Sequence, residues 1–403
     1  MENPKIRFKG FTKDWEQREF SELYARSSEK NDGSIGMDKN ITVATMQFKN
    51  DVKVSTTEYL KTYYTFKLGD IAFEGHQSKE FRYGRFVEND IGNGIVSHIF
   101  AVFRPIQEYD LYFWKYAINN ETLMQRILAR STKASTMMHD LVTNDFLNET
   151  FLVPSVKEQK QIGAFLNKLD NLITLHQRKC EQTKKLKKYM LQKMFPQNGA
   201  KVPEIRFDGF TYDWEQRKLG DIYGSIGNAF VGTATPYYAE HGHFYLESNN
   251  VKDGQINHNA EIFINDEFYE KQKDKWLHTG DMVMVQSGHV GHAAVIPEEL
   301  DNTAAHALIM FRNPKEEIEP YFLNYEYQTD KAKKQIENIT TGNTIKHILA
   351  SDMQEFVVDI PKYEEQKVIA SYFCNLDHLI TLHQRKCDEL KKMKKYMLQN
   401  MFI

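Results

Sequence analysis

Two stretches of the chain are nearly the same sequence, and they decide its architecture. Residues 154–195 read PSVKEQKQIGAFLNKLDNLITLHQRKCEQTKKLKKYMLQKMF, and residues 361–402 read PKYEEQKVIASYFCNLDHLITLHQRKCDELKKMKKYMLQNMF. The segment LITLHQRKC is identical in the two copies. Neither copy has a proline after its first residue, and Gly163 is the single glycine in either. Each copy is therefore predicted to form one long helix, which we call a spacer helix.

Apolar and small residues recur along both spacer helices at alternating steps of four and three. The first series is Ile162, Leu166, Leu169, Ile173, His176, Cys180 and Thr183, and the second is Ile369, Phe373, Leu376, Ile380, His383, Cys387 and Leu390. This heptad spacing is typical of helices that pack lengthwise on one another. About 38 residues at ~1.5 Å each predict a rod of roughly 57 Å. The other copy is the expected partner. Chain length allows either direction, and we favour antiparallel packing with a pseudo-twofold axis.

A second repeated segment opens each half of the chain. Residues 6–18 read IRFKGFTKDWEQR, and residues 205–217 read IRFDGFTYDWEQR. Between the repeated segments the two halves diverge almost completely. Duplication followed by random drift would have changed the repeated segments as well. A constant scaffold that carries exchangeable variable domains therefore explains the pattern better. The predicted boundaries are a first variable domain at 1–152, a spacer helix at 153–197, a second variable domain at 198–359 and a spacer helix at 360–403.

Weak similarities inside the variable domains predict that both share one fold. Gly69-Asp70 precedes the apolar run IAF, and Gly280-Asp281 precedes MVMV. Each half then reaches a similar strand end, AVFR at residues 101–104 and IMFR at residues 309–312. Short apolar runs punctuated by Gly, Asn and Asp indicate mixed α+β domains, with helical segments near 111–130 and 320–338. The predicted fold class is two pseudo-twofold-related α/β domains separated by an antiparallel coiled coil.

The composition limits the classes of protein that the chain can belong to. Its 403 residues allow two or three domains, and a hydrophobic content of 41% is ordinary for a soluble globular protein. Three cysteines cannot form a disulfide framework, which favours a reducing bacterial cytoplasm. A net charge of −3 argues against nucleic-acid binding, although a local basic patch can still meet phosphate. Composition alone leaves the function open.

The repeated segments resemble those of the specificity subunits of type I restriction–modification systems. The resemblance covers the whole chain. It rests on F-x-G-F-x-x-x-W-E-x-R at residues 8–18 and 207–217, on P-x-x-x-E-Q-x-x-I at residues 154–162 and 361–369, and on the helix motif beginning at Leu169 and Leu376. Each motif is moderately specific by itself. The occurrence of these motifs twice, in order and around domain-sized gaps, is highly specific.

The resemblance implies a non-catalytic subunit with two target-recognition domains. Each domain would read one half of a bipartite, asymmetric site in double-stranded DNA, and the coiled coil would set the half-site separation. The spacer helices would dock two methyltransferase subunits, which methylate adenine with S-adenosylmethionine, and a motor–nuclease subunit that needs ATP and Mg would join them. The chain itself would need no cofactor. The residues expected in the coiled coil and its docking sites are Leu169, Ile173, His176, Leu376, Ile380 and His383.

Base reading needs side chains with forked donors and acceptors, and anchoring needs cations that meet phosphate. Two loops in each variable domain are rich in such groups. In the first domain the candidates are His76, Gln77, Ser78, Lys79, Arg82, Tyr83 and Arg85, followed by Lys133 and Ser135 in the run 130–135. In the second domain they are Gln286, Ser287, His289 and His292, followed by Thr341, Asn343, Thr344 and Lys346 in the run 340–346. Each loop could equally be an ordinary solvated surface.

Two further groups of residues admit more than one interpretation. His176 and His383, like the histidines between His241 and His306, could bind a metal. Packed or surface roles are favoured, because no cysteine lies among the second group, and the predicted metal set is none. The lysine runs after Cys180 and Cys387 are either a solvated helix face or a surface for phosphate or an acidic partner.

Two other classes of function compete with DNA specificity. A self-contained methyltransferase or nuclease is disfavoured because the chain lacks a G-x-x-x-x-G-K-S/T loop and an Asn/Asp-Pro-Pro-Tyr/Phe tetrapeptide. Without its own adenine pocket, the chain would have to recruit an enzyme that modifies the base. The other alternative is an adaptor that joins two identical partners without touching DNA. Two different variable domains between fixed frames disfavour such an adaptor, which has no reason to keep both.

Overall fold

The computed structural model describes residues 3–49, 56–135, 138–197, 199–342 and 346–403. The chain forms two compact units, unit 1 from Met1–Gln177 with Gln384–Ile403 and unit 2 from Arg178–His383. The division falls inside both spacer helices, so each unit contains one variable domain and a part of each helix. Within the described residues, no helix has the length and apolar character needed to cross a membrane.

Unit 1 contains a mixed variable domain. Its strands are β1 (Glu16–Glu19), β2 (Tyr24–Ser27), β3 (Ile41–Thr42), β4 (Gln47–Phe48), β5 (Tyr64–Phe66), β6 (Ile71–Glu74), β7 (Arg85–Glu88), β8 (Gly94–Val96), β9 (Ala101–Pro105), β10 (Thr132–Ala134), β11 (His139–Leu141) and β12 (Thr150–Val153). Its helices are α1 (Phe20–Leu23), α2 (Thr57–Leu60), α3 (Leu111–Ile118), α4 (Glu121–Ser131) and α5 (Thr143–Leu147), followed by the spacer helix α6 (Val156–Lys193), which continues into unit 2.

Unit 2 repeats this plan, with its strands grouped into partly different sheets. The strands are β13 (Glu215–Lys218), β14 (Tyr223–Asn228), β15 (Tyr238–Ala239), β16 (His243–Leu246), β17 (Val251–Lys252), β18 (Gln255–Ile256), β19 (Phe263–Ile264), β20 (Met282–Val285), β21 (Ala293–Val295), β22 (Ala304–Ala305), β23 (Leu308–Pro314) and β24 (Val357–Ile360). The helices are α7 (Leu219–Ile222), α8 (Asp266–Glu270), α9 (Pro320–Glu326), α10 (Asp330–Ile339), α11 (Ala350–Gln354) and the spacer helix α12 (Tyr363–Asn400), which continues into unit 1.

The same antiparallel sheet forms the centre of both variable domains. Its strand order is β2-β9-β6-β7 in unit 1 and β14-β23-β20-β21 in unit 2. Ile71 pairs with Phe103, and Met282 pairs with Phe311, so the similar runs in the sequence are equivalent strands. Unit 2 also has a sheet in the order β15-β19-β16-β22, which the sequence did not predict. The predicted mixed α+β fold with repeated domains and long helices is confirmed.

The spacer helices α6 and α12 are each 38 residues long, as the heptad pattern predicted. In unit 1, Leu166 and Ile173 of α6 share a buried apolar cluster with Leu390 of α12. In unit 2, Leu191 of α6 shares a cluster with Phe373 of α12. In each unit one helix contributes its N-terminal half and the other its C-terminal half. This is the pairing expected of antiparallel helices.

The repeated Arg of I-R-F and Glu of E-Q form one ion pair in each unit. Arg7 donates from Nε and Nη2 to Glu158 at 2.6 and 2.8 Å, and Arg206 donates to Glu365 at 2.7 Å from both atoms. Both glutamates are buried. A buried carboxylate without its cation is strongly destabilising, so neither side of the pair can vary alone. These repeated residues connect the start of each variable domain to the spacer helix that follows that domain.

The glutamine of the same E-Q motif binds the N-cap residue of a helix in the variable domain, α3 in unit 1 and α9 in unit 2. Gln159 Oε1 accepts from the backbone N–H of Asp110 at 3.1 Å, and Gln366 Oε1 accepts from that of Glu319 at 3.0 Å. Asp110 and Glu319 are the N-cap residues of α3 and α9. The motif therefore sets where these helices begin. Its near-identity in the two halves follows from this structural role.

The repeated tryptophans pack against the end of the other spacer helix. Trp15 lies edge-on to Phe402 with ring centroids 6.4 Å apart, and Trp214 lies edge-on to Phe195 at 6.0 Å. Both tryptophans are buried. Phe402 follows α12, which comes after the second variable domain, and Phe195 follows α6, which comes after the first. Each unit is therefore completed by a helix end from the other half of the sequence.

Candidate nucleic-acid interface

In unit 1 the first candidate loop connects β6 to β7. His76, Gln77 and Lys79 are exposed, and the Oγ of Ser78 accepts from the backbone N–H groups of Glu80 and Phe81 at 3.2 and 3.0 Å. Ser78 therefore shapes the turn, and its neighbours project into solvent. The polar side chains that the sequence singled out are accessible here to a large ligand.

The second candidate run of unit 1 is the hairpin β10–β11, and it lies beside the first loop. The backbone N–H of His139 donates to the carbonyl of Gly75 at 2.8 Å, and His76 forms a β-bridge with Met138. A Cβ atom at Gly75 would lie 2.2 Å from the carbonyl oxygen of His139, so only glycine permits this approach. Lys133 and Ser135 are exposed on the hairpin. The fold thus joins two loops that are distant in sequence.

Unit 2 brings its two candidate loops together in the same way. The N–H of Ile348 donates to the carbonyl of Gln286 at 3.0 Å, and the N–H of Gly288 donates to that of Lys346 at 3.1 Å. The side chains also meet, because Ser287 Oγ lies 2.6 Å from His347 Nδ1. Thr341 and His347 exchange backbone hydrogen bonds at 2.9 and 2.8 Å. We call each joined pair of loops a loop–hairpin surface. It is formed by residues 76–85 with 132–135 and 138–141 in unit 1, and by residues 286–292 with 341–342 and 346–347 in unit 2.

Two of the candidates from the sequence, Asn343 and Thr344, lie outside the described residues. Among the rest, Lys346, Thr341 and His289 are exposed. Burial lowers the pKa of His292, so its ring is neutral at pH 7. Its Nδ1 accepts from the N–H of Asp253 at 3.3 Å, which leaves the proton on Nε2.

Three aromatic or cationic candidates of unit 1 are already engaged within the domain. Arg85 donates to Glu74 Oε2 and to the carbonyl of Ala44, both at 2.8 Å. Tyr83 packs edge-on against His139 with centroids 5.4 Å apart, and the guanidinium of Arg82 lies 5.4 Å from the Tyr83 ring. Arg85 is therefore better placed to fix the loop than to reach DNA. Arg82 remains exposed.

His347 belongs to the loop–hairpin surface, but it was not among the sequence candidates. The sequence did show it as a weak repeat, since His139 and His347 each close a T-x-x-H segment. The two have different environments, because His139 is buried and His347 is exposed. A repeated histidine that is structural in one domain is available as a donor or acceptor in the other. Composition of the loop alone could not separate these roles.

The spacer helices carry an exposed apolar stripe that differs from the heptad seam. Leu169, Ile173 and Leu376 of the seam are buried, and Ile380, His176 and His383 are half-buried. The stripe comprises Leu175, Met393 and Tyr396 in unit 1 and Leu186, Tyr189, Leu379 and Leu382 in unit 2, each between 41% and 56% exposed. Leu186 and Tyr189 correspond to Met393 and Tyr396 in the repeat. Repeated exposed apolar side chains of this kind make these positions candidates for contact with another protein.

The histidines of unit 2 lie in separate environments. His243 stacks on Tyr269 with ring centroids 3.6 Å apart, and His306 lies 3.3 Å from Glu247. In the described part of the chain, no three His, Cys, Asp or Glu side chains are grouped as a metal site.

The sequence matches the family described as the type I restriction modification DNA specificity domain, over residues 12–185 and again over residues 212–392. The chain belongs to this DNA specificity family. The two matched ranges each contain a loop–hairpin surface and most of a spacer helix. The duplication seen in the sequence is therefore a duplication of the specificity domain.

Two curated members of the specificity family are similar to this chain. The specificity subunit of type I restriction enzyme MjaVIII from Methanocaldococcus jannaschii is 25% identical over 72% of this chain and 68% of its own length. The putative MjaX specificity subunit from the same organism is 24% identical, covering 96% of this chain and 92% of its own length.

Solved structures of type I systems share the fold. The S subunit from M. genitalium matches with a TM-score of 0.62 at 14% identity, covering 100% of this chain and 99% of that one. A chain from a study of complex assembly and conformational transition in the type I system matches with a TM-score of 0.50 at 16% identity, covering 96% and 97%. At these identities the likeness supports the fold of the specificity family.

Proposed function

We propose that this DNA-specificity subunit reads a bipartite, asymmetric site, with one half read by each loop–hairpin surface. The observation that carries the proposal is the repeated juxtaposition of the two loops. In both units a backbone hydrogen bond joins the strand-end loop to the hairpin, yet the exposed side chains differ. The same backbone arrangement with two different sets of exposed side chains suits the recognition of two different half-sites.

The exposed groups suit the two parts of DNA recognition. The exposed Gln77 and the half-buried Gln286 offer an amide that can form paired hydrogen bonds with adenine, while Lys79, Lys133 and Lys346 suit phosphate or guanine. His347 accepts or donates through the nitrogen that does not face Ser287. Because the sets differ, the two halves of the site should differ as well. Local cations of this kind are compatible with a net charge of −3 for the whole chain.

The proposal assigns chemistry to partners rather than to this chain. Two methyltransferase subunits would dock on the exposed apolar stripe, one on each unit, and would methylate adenine with S-adenosylmethionine. A motor–nuclease subunit with ATP and Mg would complete the assembly in the bacterial cytoplasm. Supporting this, three positions of the stripe in each unit are equivalent in the repeat: Leu175 with Leu382, Met393 with Leu186, and Tyr396 with Tyr189. The spacer helices would set the separation of the half-sites.

The test is to co-express the chain with its methyltransferase subunit and to map methylated adenine across the genomic DNA. A split motif with two defined halves is expected. The double variant Ser287→Ala, His347→Ala should relax or weaken one half only, because a lost base contact costs about 1–3 kcal/mol of discrimination. His241→Ala, an exposed histidine outside the loop–hairpin surface, is the matched control. An assembled complex that methylates without any motif, or not at all, would refute the proposal, as an adaptor alone would behave in this way.

A further inference from the structure

A Tyr–Asp–Lys triad occurs once in each unit. In unit 1 the Tyr116 hydroxyl donates to Asp170 Oδ2 at 2.6 Å, and Lys394 Nζ donates to Asp170 Oδ1 and Oδ2 at 2.6 and 2.8 Å. In the same triad, Lys394 Nζ lies 5.0 Å from the centroid of the Tyr116 ring. The three groups therefore form one connected polar cluster.

Unit 2 contains the same cluster from the equivalent positions of the repeat. The Tyr325 hydroxyl donates to Asp377 Oδ2 at 2.9 Å, and Lys187 Nζ donates to both carboxylate oxygens at 2.8 Å. Lys187 Nζ again lies 5.0 Å from the centroid of the Tyr325 ring. Because the geometry recurs in two domains whose sequences have diverged, it is unlike a chance surface ion pair.

Each triad joins three elements. Its tyrosine lies on α3 or α9 of the variable domain, its aspartate on the spacer helix that follows that domain, and its lysine on the other spacer helix. In unit 1 the aspartate comes from α6 and the lysine from α12, and in unit 2 these roles are exchanged. A triad is thus a direct polar link between a variable domain and both spacer helices.

The environment of each triad favours a fixed arrangement. The side chains of Lys187 and Asp377 are 11% and 15% exposed, so their attraction is only weakly screened by solvent. Burial, and then the neighbouring aspartate, raises the pKa of Tyr116 and of Tyr325, so both hydroxyls stay protonated and donate. A hydrogen bond to a charged acceptor is stronger and more directional than a neutral one.

We propose that the two triads are positioning elements that fix the angle of each variable domain on the spacer helices and thereby the number of base pairs between the half-sites. This inference rests on the proposed function, and it goes beyond it by naming residues that touch no DNA. One extra base pair moves a half-site by about 3.4 Å and turns it by roughly 35°. A domain fixed at one angle rejects such a site, whereas a loosened domain can rotate toward it.

The test uses the complex of the full chain with its methyltransferase, carrying Tyr116→Phe or Tyr325→Phe. Each substitution keeps the ring over the lysine and removes the hydrogen bond to the aspartate. Tyr112→Phe and Tyr321→Phe are matched controls, because these tyrosines lie on the same two helices, four residues before the triad tyrosines. The readout is the set of spacer lengths found at methylated sites across the genome.

In the triad variants, discrimination against sites with one base pair more or fewer should fall roughly tenfold, since a hydrogen bond to a charged group is worth about one to two decades in an equilibrium constant. Both half-site sequences should stay unchanged. The control variants should keep the single spacer length of the parent chain. Tyr325→Phe should have a larger effect than Tyr116→Phe, because the Lys–Asp ion pair of unit 2 is less exposed than that of unit 1.

Two results would overturn the inference. One is a triad variant that keeps a single spacer length whatever its activity, which is the behaviour of a group that only stabilises the fold. The other is an altered half-site sequence, which would mean that the triad acts on reading. If a phenylalanine variant does not assemble, Lys187→Arg and Lys394→Arg keep the charge, change the geometry and are judged by the same two criteria. A parent complex with no split motif would instead refute the proposed function.

Discussion

At the scale of single residues, Glu326 is the least expected side chain of unit 2. It is buried in α9, where Oε1 accepts from the N–H of Asp359 at 2.7 Å and Oε2 has no hydrogen-bond partner. Burial raises its pKa to about 8. The corresponding position in unit 1, counted from the triad tyrosine, is the small apolar Ala117. Unit 2 therefore contains a carboxyl group that is neutral at pH 7.

Glu326→Gln should remove a pH dependence of stability. The pKa is raised on folding, so the folded state binds the extra proton, and the resulting stability is fully present below about pH 4.5 and is lost as the pH rises toward 8. Glutamine mimics the protonated group and does not titrate. The stability of the variant relative to the parent should therefore rise with pH by up to about 1.4 kcal/mol for each unit across this range. Denaturant midpoints at pH 5, 6.5 and 8 measure it.

The control for this prediction is Glu337→Gln, which changes an exposed glutamate of the neighbouring helix α10. Its midpoints should follow those of the parent chain at all three pH values. A constant difference between the Glu326→Gln variant and the parent, independent of pH, would show that the carboxyl group is already ionised in the folded protein.

At the scale of elements, Gly163 shows how packing overrides helix propensity. It lies within α6, where alanine would ordinarily be favoured by about 1 kcal/mol. A Cβ at this position would lie 2.2 Å from Asp110 Oδ1 and 2.6 Å from the backbone nitrogen of Phe113. Asp110 is the N-cap of α3, and its Oδ1 accepts from that same nitrogen at 2.8 Å. Glycine is thus needed where α6 approaches the start of α3.

Gly163→Ala should consequently lower the thermal midpoint despite its better helix propensity. Displacing the cap alone costs about 1 kcal/mol, and moving the backbone of α3 adds to that cost. The equivalent residue of α12 is the buried Ala370. Ala370→Gly should also destabilise, by about 1 kcal/mol from helix propensity and further by the loss of its buried methyl group. Calorimetry of the two variants tests the pair, and a raised midpoint for Gly163→Ala would contradict the packing argument.

The elements also show what local sequence patterns can predict. The heptad pattern predicted both spacer helices at their observed length, because a long helix is encoded by its own periodicity. The segment near 111–130 is helical, as predicted, and it consists of two helices, α3 and α4. Asn120 caps α4 by accepting from the N–H of Thr122 at 3.1 Å. Breaks of this kind depend on one side chain and its partner, which periodicity does not register.

For the whole molecule, the sequence predicted the repeated plan and the candidate loops, but not the contacts that connect them. The triads illustrate the reason. Tyr116 and Tyr325 end a repeated Y-F-x-x-Y segment that was visible in the sequence at a spacing of 209 residues. Their partner lysines lie 278 positions later in one unit and 138 positions earlier in the other. Local pattern cannot supply such pairings, and the DNA-contact role of the loops stays a prediction.

The repeated segments allow one variable domain to be replaced by a copy of the other. Arg18 pairs with Phe151 across β1 and β12, and Arg217 pairs with Val358 across β13 and β24, so residues 19–150 and 218–357 are equivalent inserts between equivalent strands. Replacing residues 19–150 by a second copy of residues 218–357 leaves in place Arg7, Trp15, Glu158 and Gln159, the unit 1 residues of the repeated frame contacts. Because Tyr325 comes with the insert, it can meet Asp170 and Lys394 in place of Tyr116.

A chain with two copies of the second variable domain should recognise a symmetric site. If a pseudo-twofold axis relates the domains, both halves of the methylated motif become inverted copies of the second half-site, with the spacer length unchanged. The reciprocal chain, with two copies of residues 19–150, should give inverted copies of the first. Mapping methylated adenine in cells that express each chain with the methyltransferase distinguishes the outcomes. A direct repeat would mean that the domains are related by translation, and a surviving asymmetric motif would mean that bases are also read outside the variable domains.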